Sequence, residues 1–412
     1  MPPKSGKPCA SSAGRKDFKI MDNTFLHKTK AIAPYLQEVF FHLHQHPELS
    51  NQEFHTQRFI LDELEKMGIE AKPLADTGVV GIIRGGKPGK TVAFRADMDA
   101  LPIEEATDLP YKSQNPGVMH ACGHDSHMTI LLGLAKIMST KKAEISGNIK
   151  LFFQPAEEKS GGARRMIEAG CMEDPKVDAA FFSHCSPLLS LGKINARTGS
   201  VSAASNAFTV TFQGKGCHGA APHKGADPIV AACQVVTALQ TISSRRNNPA
   251  DPIAVTVGTI HAGSAPNIIP DTAEISGTIR TTNPQTRKRA VEDFRQIVSG
   301  IAAAMGVEAD IFLKEGYAAT VNNDAMVELV RRAGAKVLGE ENVVTTGTAA
   351  MGAEDFAYFC EAVPGCYYRF GVGTPGVDCT PVHNAGFMVD TNALPYGVAM
   401  YAQIAQDFLN ER

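Results

Sequence analysis

Between about residues 30 and 67 the apolar positions recur at helical spacing. Leu36, Val39, Phe40 and Leu43 share one face, Pro47 breaks the run, and Phe59, Ile60, Leu64 and Met67 resume it until Gly68. Short apolar runs separated by turn residues follow: 79–83, then Gly85-Gly86, then 91–96. Ile130, Leu131, Leu134, Ile137 and Met138 predict another helix after Asp125. Runs 149–153 and 179–182 read as buried strands, the first ending at Gln154-Pro155 and the second near His184. Strands alternating with helices predict an α/β layer around a mixed, mainly parallel sheet.

Near residue 200 the texture changes. Stretch 208–212 alternates like a half-exposed strand, 228–242 reads as a helix, 254–260 and 272–280 as strands, and 284–305 as a second helix. These elements predict a compact α+β unit. After about residue 315 the α/β texture returns, with helices near 323–338 and 392–410. The expected division is a larger domain in two parts, 21–199 and 314–412, an inserted domain over 200–313, and a flexible tail over 1–20.

Composition narrows the function classes. A 412-residue chain has room for two or three domains at roughly 100–200 residues each. The 40 Lys and Arg against 43 Asp and Glu give a net charge of −3, leaving no basic surplus for nucleic acid. No run approaches the roughly 18 apolar residues of a membrane span. The small, polar, basic start lacks the apolar core of an export signal, so a cytoplasmic location is expected, and Met21 is an alternative start. Nine cysteines without a CxxC pair argue against a disulfide framework and for a reducing compartment.

The densest chemistry lies in Met119-His-Ala-Cys-Gly-His-Asp-Ser-His127. Cys122 and His124 are two apart, so on an extended stretch both face one way, and thiolate and imidazole suit a borderline transition metal. The bland alternative is a His-rich helix start capped by Asp125. His120 and His127 rank below the other two, as outer hydrogen-bond donors. Gln154-Pro-Ala-Glu-Glu158 follows a predicted strand, where adjacent carboxylates diverge and suit two tasks, one holding a metal and one reaching a water. Acidic decoration of a helix start is the alternative. His184 ends another strand, and His383 stands in Thr380-Pro-Val-His-Asn. Arg95-Ala-Asp-Met-Asp99 closes a third strand with aspartates able to orient a ligand imidazole or cap a turn.

Taken in order, HACGHDSH, QPAEE, RADMDALP, GKGCHGAAPHKGADP, APNIIPD, GTIRT and GAEDF resemble the metallo-aminoacylase and amidohydrolase family. Hippurate hydrolases and plant auxin-conjugate amidohydrolases belong to that group, a branch of the dinuclear metallo-exopeptidases. The resemblance runs from about residue 38 to the C-terminus. It implies a zinc-peptidase-like α/β catalytic domain with an inserted two-layer, ferredoxin-like lid that also dimerises. By resemblance Cys122, His124, Glu158, His184 and His383 hold two divalent ions (Zn, Mn, Co or Ni), and Glu157 is the general base and acid. His218 matches a lid histidine that commonly reaches the partner subunit's active site, and Asn267 and Arg280 match positions holding the substrate carbonyl and carboxylate. Asp99 is carried as a further catalytic candidate.

The expected activity is hydrolysis of the amide bond of an N-acyl amino acid, by a water bridging two ions with Glu157 as base. The alternatives are a metallo-exopeptidase acting on short peptides and a metal-binding homologue without turnover. A thiol hydrolase using Cys122 and His124 is a further rival, one that leaves the paired glutamates without a role.

Overall fold

The computed structural model describes residues 24–159, 161–374, 376 and 379–411, so the tail expected over 1–20 lies outside the described residues. The apolar runs of the larger unit assemble into an eight-stranded mixed sheet. Its order is Glu70–Leu74, Gly78–Arg84, Ser146–Gln154, Lys87–Asp97, Ala179–Ser190, Gly365–Gly373, Ile194–Asn195 and Val343–Val344. The four central strands, from Ser146–Gln154 to Gly365–Gly373, run parallel, while Glu70–Leu74 and Gly78–Arg84 pair antiparallel at one side. Parallel strands buried on both faces are apolar throughout, which is why these runs lack polar alternation.

Period-two alternation still sorts the side chains between faces. Val92, Phe94 and Ala96 join the core under helices Ala33–Gln45, His124–Ser139, Asp324–Leu338 and Leu394–Asn410, whereas Ala93, Phe152 and Phe182 pack against Met166 and Phe359 on the other side. Helix His124–Ser139 is buried on nearly every side. Gly133 allows this, because a Cβ there would stand 2.5 Å from Val398 Cγ2 on helix Leu394–Asn410. The strand expected to stop near His184 continues to Ser190.

Residues 204–315 build a second, four-stranded antiparallel sheet, ordered Ile253–Ala262, Thr272–Thr281, Ala204–Gln213 and Glu308–Glu315. Helices Pro228–Thr241 and Pro284–Ala304 cover one face, and Phe208, Phe212, Val235, Leu239, Ile275 and Phe294 form its separate core. The β-α-β-β-α-β order is that of a ferredoxin-like split βαβ unit. Asp227 and Asn283 start the two helices, each accepting backbone N–H bonds before a proline. All eight cysteines among the described residues are free, and no described helix is long and apolar enough to cross a membrane.

Candidate metal centre

At the carboxyl edge of the parallel strands, where open α/β sheets gather ligands, five separate segments converge. The extended Cys122–His124 geometry expected from the sequence is not what forms. Cys122 lies in a turn, Gly123 takes a left-handed φ of 81°, and His124 is the first residue of its helix. A Cβ on Gly123 would meet Cys185 Sγ at 2.4 Å, so the turn is available only to glycine. Asp125 does not cap this helix; it receives Ser126 N–H and the His44 ring instead.

Glu157 and Glu158 follow the strand Ser146–Gln154 through Ala156, which holds a positive φ of 54° while its N–H donates to Glu53 Oε1 at 2.9 Å. Asp99, two residues beyond the neighbouring strand Lys87–Asp97, fixes this bend. Its Oδ1 accepts Glu157 N–H and its Oδ2 accepts Glu158 N–H, both at 3.0 Å, and Ser50 Oγ donates to Oδ2 at 2.6 Å. The Asp99 carboxylate is thereby committed to backbone and Ser50, and its carbonyl receives His124 Nδ1 at 2.8 Å. His383 also has a positive φ, 63°, and its N–H bonds Ala121 O at 2.8 Å, which ties its loop to the Cys122 turn. Such backbone strain gathers where the surroundings fix a functional geometry.

The five candidate ligands meet. Cys122 Sγ lies 3.5 Å from His184 Nε2 and 3.3 Å from His383 Nε2, and Glu158 Oε1 lies 3.2 Å from His383 Nε2 and 3.9 Å from His124 Nε2. Cys122 joins one triad with His124 and His184 and another with Glu158 and His383. His184 donates Nδ1–H to Cys185 O at 2.7 Å, so its Nε2 carries the lone pair facing this space. His124 Nε2 and Glu158 Oε1 are buried without a hydrogen-bond partner. Orphaned buried groups on soft and borderline donors fit a divalent transition metal. His127 does not offer the same opening: Cys185 N–H donates to its Nε2 at 2.9 Å and its Nδ1 bonds Asp97 at 2.6 Å, so both ring nitrogens are used. His120 is buried with neither ring nitrogen bonded, and burial pushes its pKa down to about 4.

Charge is strongly perturbed here. Burial, with Glu354, Asp355 and Glu158 close by, raises the proton affinity of Glu157 well above that of an ordinary carboxylate. The Cys122 thiol is pushed up by burial and by Glu158, the reverse of what a free cysteine nucleophile needs. Burial opposes protonation of His124, yet Asp97 and Asp99 hold its pKa up to about 10. His184 moves well below its usual value through burial and the neighbouring His127.

Beneath the ligands lies a charged cluster that sequence reasoning missed. The fully buried Arg95 donates to Gln154 Oε1 at 2.9 Å, Asp97 Oδ2 at 2.8 Å and Asp355 Oδ1 at 2.8 Å, with Glu354 Oε1 at 3.1 Å and the Phe182 ring 4.2 Å below. Glu354 is pushed up to about 8, chiefly by burial, with Arg95 opposing and Asp355 adding to the rise. GAEDF signalled these carboxylates, but only tertiary pairing gives them a task.

The centre opens into a cleft of about 340 Å³ lined by Glu157, Glu158, His184, Tyr367, Arg369 and His383 among others. Arg280, on the second sheet, donates to Met351 O at 3.1 Å, in the 350–354 segment that forms one wall. His218 ends one of two short paired strands and Asn267 immediately precedes the other, both exposed and neither lining the cleft.

A family model described as peptidase family M20/M25/M40 matches residues 93–407. The chain is 41% identical to thermostable carboxypeptidase 1 of Saccharolobus solfataricus over 93% of its own length and 97% of that protein's. It is 42% identical to N-acetyl-L-cysteine deacetylase of Bacillus subtilis, covering 86% of this chain and 83% of the relative. Among solved structures, a Bacillus subtilis protein described as a dinuclear metal binding peptidase of the M20 family aligns with a TM-score of 0.81 at 34% identity, over 92% of this chain and 99% of that one.

Proposed function

The chain belongs to peptidase family M20/M25/M40 and is a metal-dependent hydrolase of amide bonds, and on that premise we propose that its substrates are N-acyl amino acids. In this reading Cys122, His124, Glu158, His184 and His383 would hold two divalent ions, Cys122 belonging to both donor triads. The observation that carries it is the meeting of these five side chains around two orphaned buried atoms, His124 Nε2 and Glu158 Oε1. Two such ions supply Lewis acidity, which makes water a stronger acid and offsets charge developing on the amide oxygen. Glu157, buried and of high proton affinity, accepts the proton of the attacking water and returns it to the leaving nitrogen. Asp99 acts through the backbone, holding Glu157 and Glu158 in place.

Arg280 grips the α-carboxylate of the amino-acid half through a bidentate pair, and Asn267 holds the carbonyl. The inserted unit, 200–313, serves as a lid and dimerisation domain. The exposure of His218 supports a role across a dimer, stabilising the oxyanion in a second copy. A cytoplasmic homodimer is the assembly this reading favours.

Carboxypeptidase is the name of one of the most similar relatives, and it favours a second reading, removal of C-terminal residues from short peptides. Both are tested on the metal-loaded protein by comparing kcat/KM for N-acetyl amino acids with that for dipeptides, alongside Glu157→Gln. The N-acyl reading expects faster turnover of the acetyl compounds. In the variant, kcat should fall by roughly 10²–10⁴ with the ions retained by elemental analysis. Near wild-type turnover by Glu157→Gln removes the base assignment, and a clear preference for dipeptides selects the second reading.

A further inference from the structure

One cation in the cleft has no counter-charge among the described residues. Arg369 sits on the central strand Gly365–Gly373 in parallel register with His184 and lines the same cleft as the candidate ligands. Tyr367, two residues earlier and so on the same face, also lines the cleft and sets its hydroxyl against the guanidinium. Tyr368 and Phe370 alternate to the opposite face and enter the core. Among the described residues no carboxylate lies within 4.0 Å of Arg369, whereas Arg95, two strands away, is ringed by three.

The carboxylates that share the cleft are committed elsewhere. Glu354 belongs to Arg95, Glu158 stands against His383, and Glu157 is held over the centre. Pro187, Leu188 and Val382 add apolar wall to the same cleft. A partly buried guanidinium in that setting has lost hydration and gained the neutral Tyr367 hydroxyl but no counter-charge, and its planar fork matches a carboxylate.

We propose that Arg369 is a specificity-determining residue that binds a substrate carboxylate beside His184. The inference rests on the amide-hydrolase reading and adds a basic contact distinct from Arg280, which approaches from the other sheet. The carboxylate has two possible sources in an N-acyl amino acid: the α-carboxylate itself, or the far end of a dicarboxylic acyl group.

The test measures ligand binding by calorimetry to metal-loaded Glu157→Gln, with and without Arg369→Met. Three probes separate the sources: N-acetylmethionine, N-succinylmethionine amide and the uncharged N-acetylmethionine amide. Arg369→Met should weaken one of the two charged probes by about tenfold to a hundredfold, and the one affected identifies the source. The uncharged probe should change less than about twofold, and Arg369→Lys should recover part of the loss. Equal losses on all three probes, no loss on either charged one, or failure of both charged probes to bind the parent overturns the proposal. Wild-type turnover of the same compounds reports separately on the amide-hydrolase reading. Charge-selective binding without turnover would keep Arg369 as the carboxylate contact and remove that reading.

Discussion

Two buried charged clusters lie next to each other at the carboxyl edge of the main sheet, and they differ in one respect. Around Arg95 the donors and acceptors answer one another: the guanidinium reaches Gln154, Asp97, Asp355 and Glu354. A few residues away, around Cys122, the polar atoms also converge, yet His124 Nε2 and Glu158 Oε1 are left without hydrogen bonds. Burying polar groups is costly unless they are paired, so the first cluster is complete as folded and the second is completed by something added. His127 marks the boundary, because its ring touches the ligand set while both its nitrogens are satisfied.

Breaking the complete cluster should cost the most. Arg95→Met leaves Asp97, Asp355 and Glu354 buried without their cation, and urea unfolding should register a loss of roughly 3–5 kcal/mol. A change under 1 kcal/mol would mean that the cluster is not what secures this edge. The incomplete cluster should respond to ions instead. At a hundredfold excess over Kd, a divalent ion should stabilise the wild type by about 2.7 kcal/mol, read as a rise in Tm. Glu158→Leu should remove most of that rise, while in metal-free protein it loses only the half-exposed ion pair with His383 at 3.2 Å and should change stability by less than about 1 kcal/mol.

A smaller, pH-dependent effect sharpens the contrast. His44 bonds Asp125 at 2.6 Å and faces Glu105 at 3.3 Å, joining helix Ala33–Gln45 to the helix that begins at His124. Burial works against its charge, but the two carboxylates raise its pKa to about 9. The folded protein therefore binds a proton that the unfolded chain releases above about 6.5. The resulting stability is full below about 6.5 and fades as pH rises through about 9. Glu105, against the cost of its burial, is held down to about 2 by His44, Thr107 and Ser113, so its share is present above its ordinary value and lost as pH falls through about 2. In metal-free protein, His44→Gln should flatten the slope between pH 6.5 and 9 by at most about 1.4 kcal/mol per pH unit. An unchanged slope would assign the titration to another group.

Much of this was legible in the sequence because it was local. Helical spacing located Pro228–Thr241, Pro284–Ala304 and Leu394–Asn410 nearly to the residue, and the ordered motifs singled out the residues that meet at the centre. The strand Gly365–Gly373 went unread. It is a central strand with a glycine at each end and Arg369 in the middle, so it offers neither alternation nor a clean apolar run. The edge strand Glu308–Glu315 was hidden for the opposite reason, since it has no fully buried position. The Arg95 cluster was out of reach because Asp355 lies 260 residues from its partner. The Cys122–His124 pair was expected on a mistaken geometry: a glycine turn brings the two together where an extended segment was expected.

The central claim is that five side chains complete their coordination around two cations, and diffraction from divalent-loaded crystals at the metal's absorption edge tests it most directly. The account predicts two anomalous peaks, with Cys122 Sγ about 2.3 Å from zinc and His124, Glu158, His184 and His383 supplying the remaining protein ligands. An absence of peaks, or an ion held by Asp97 and His127 instead, would contradict it.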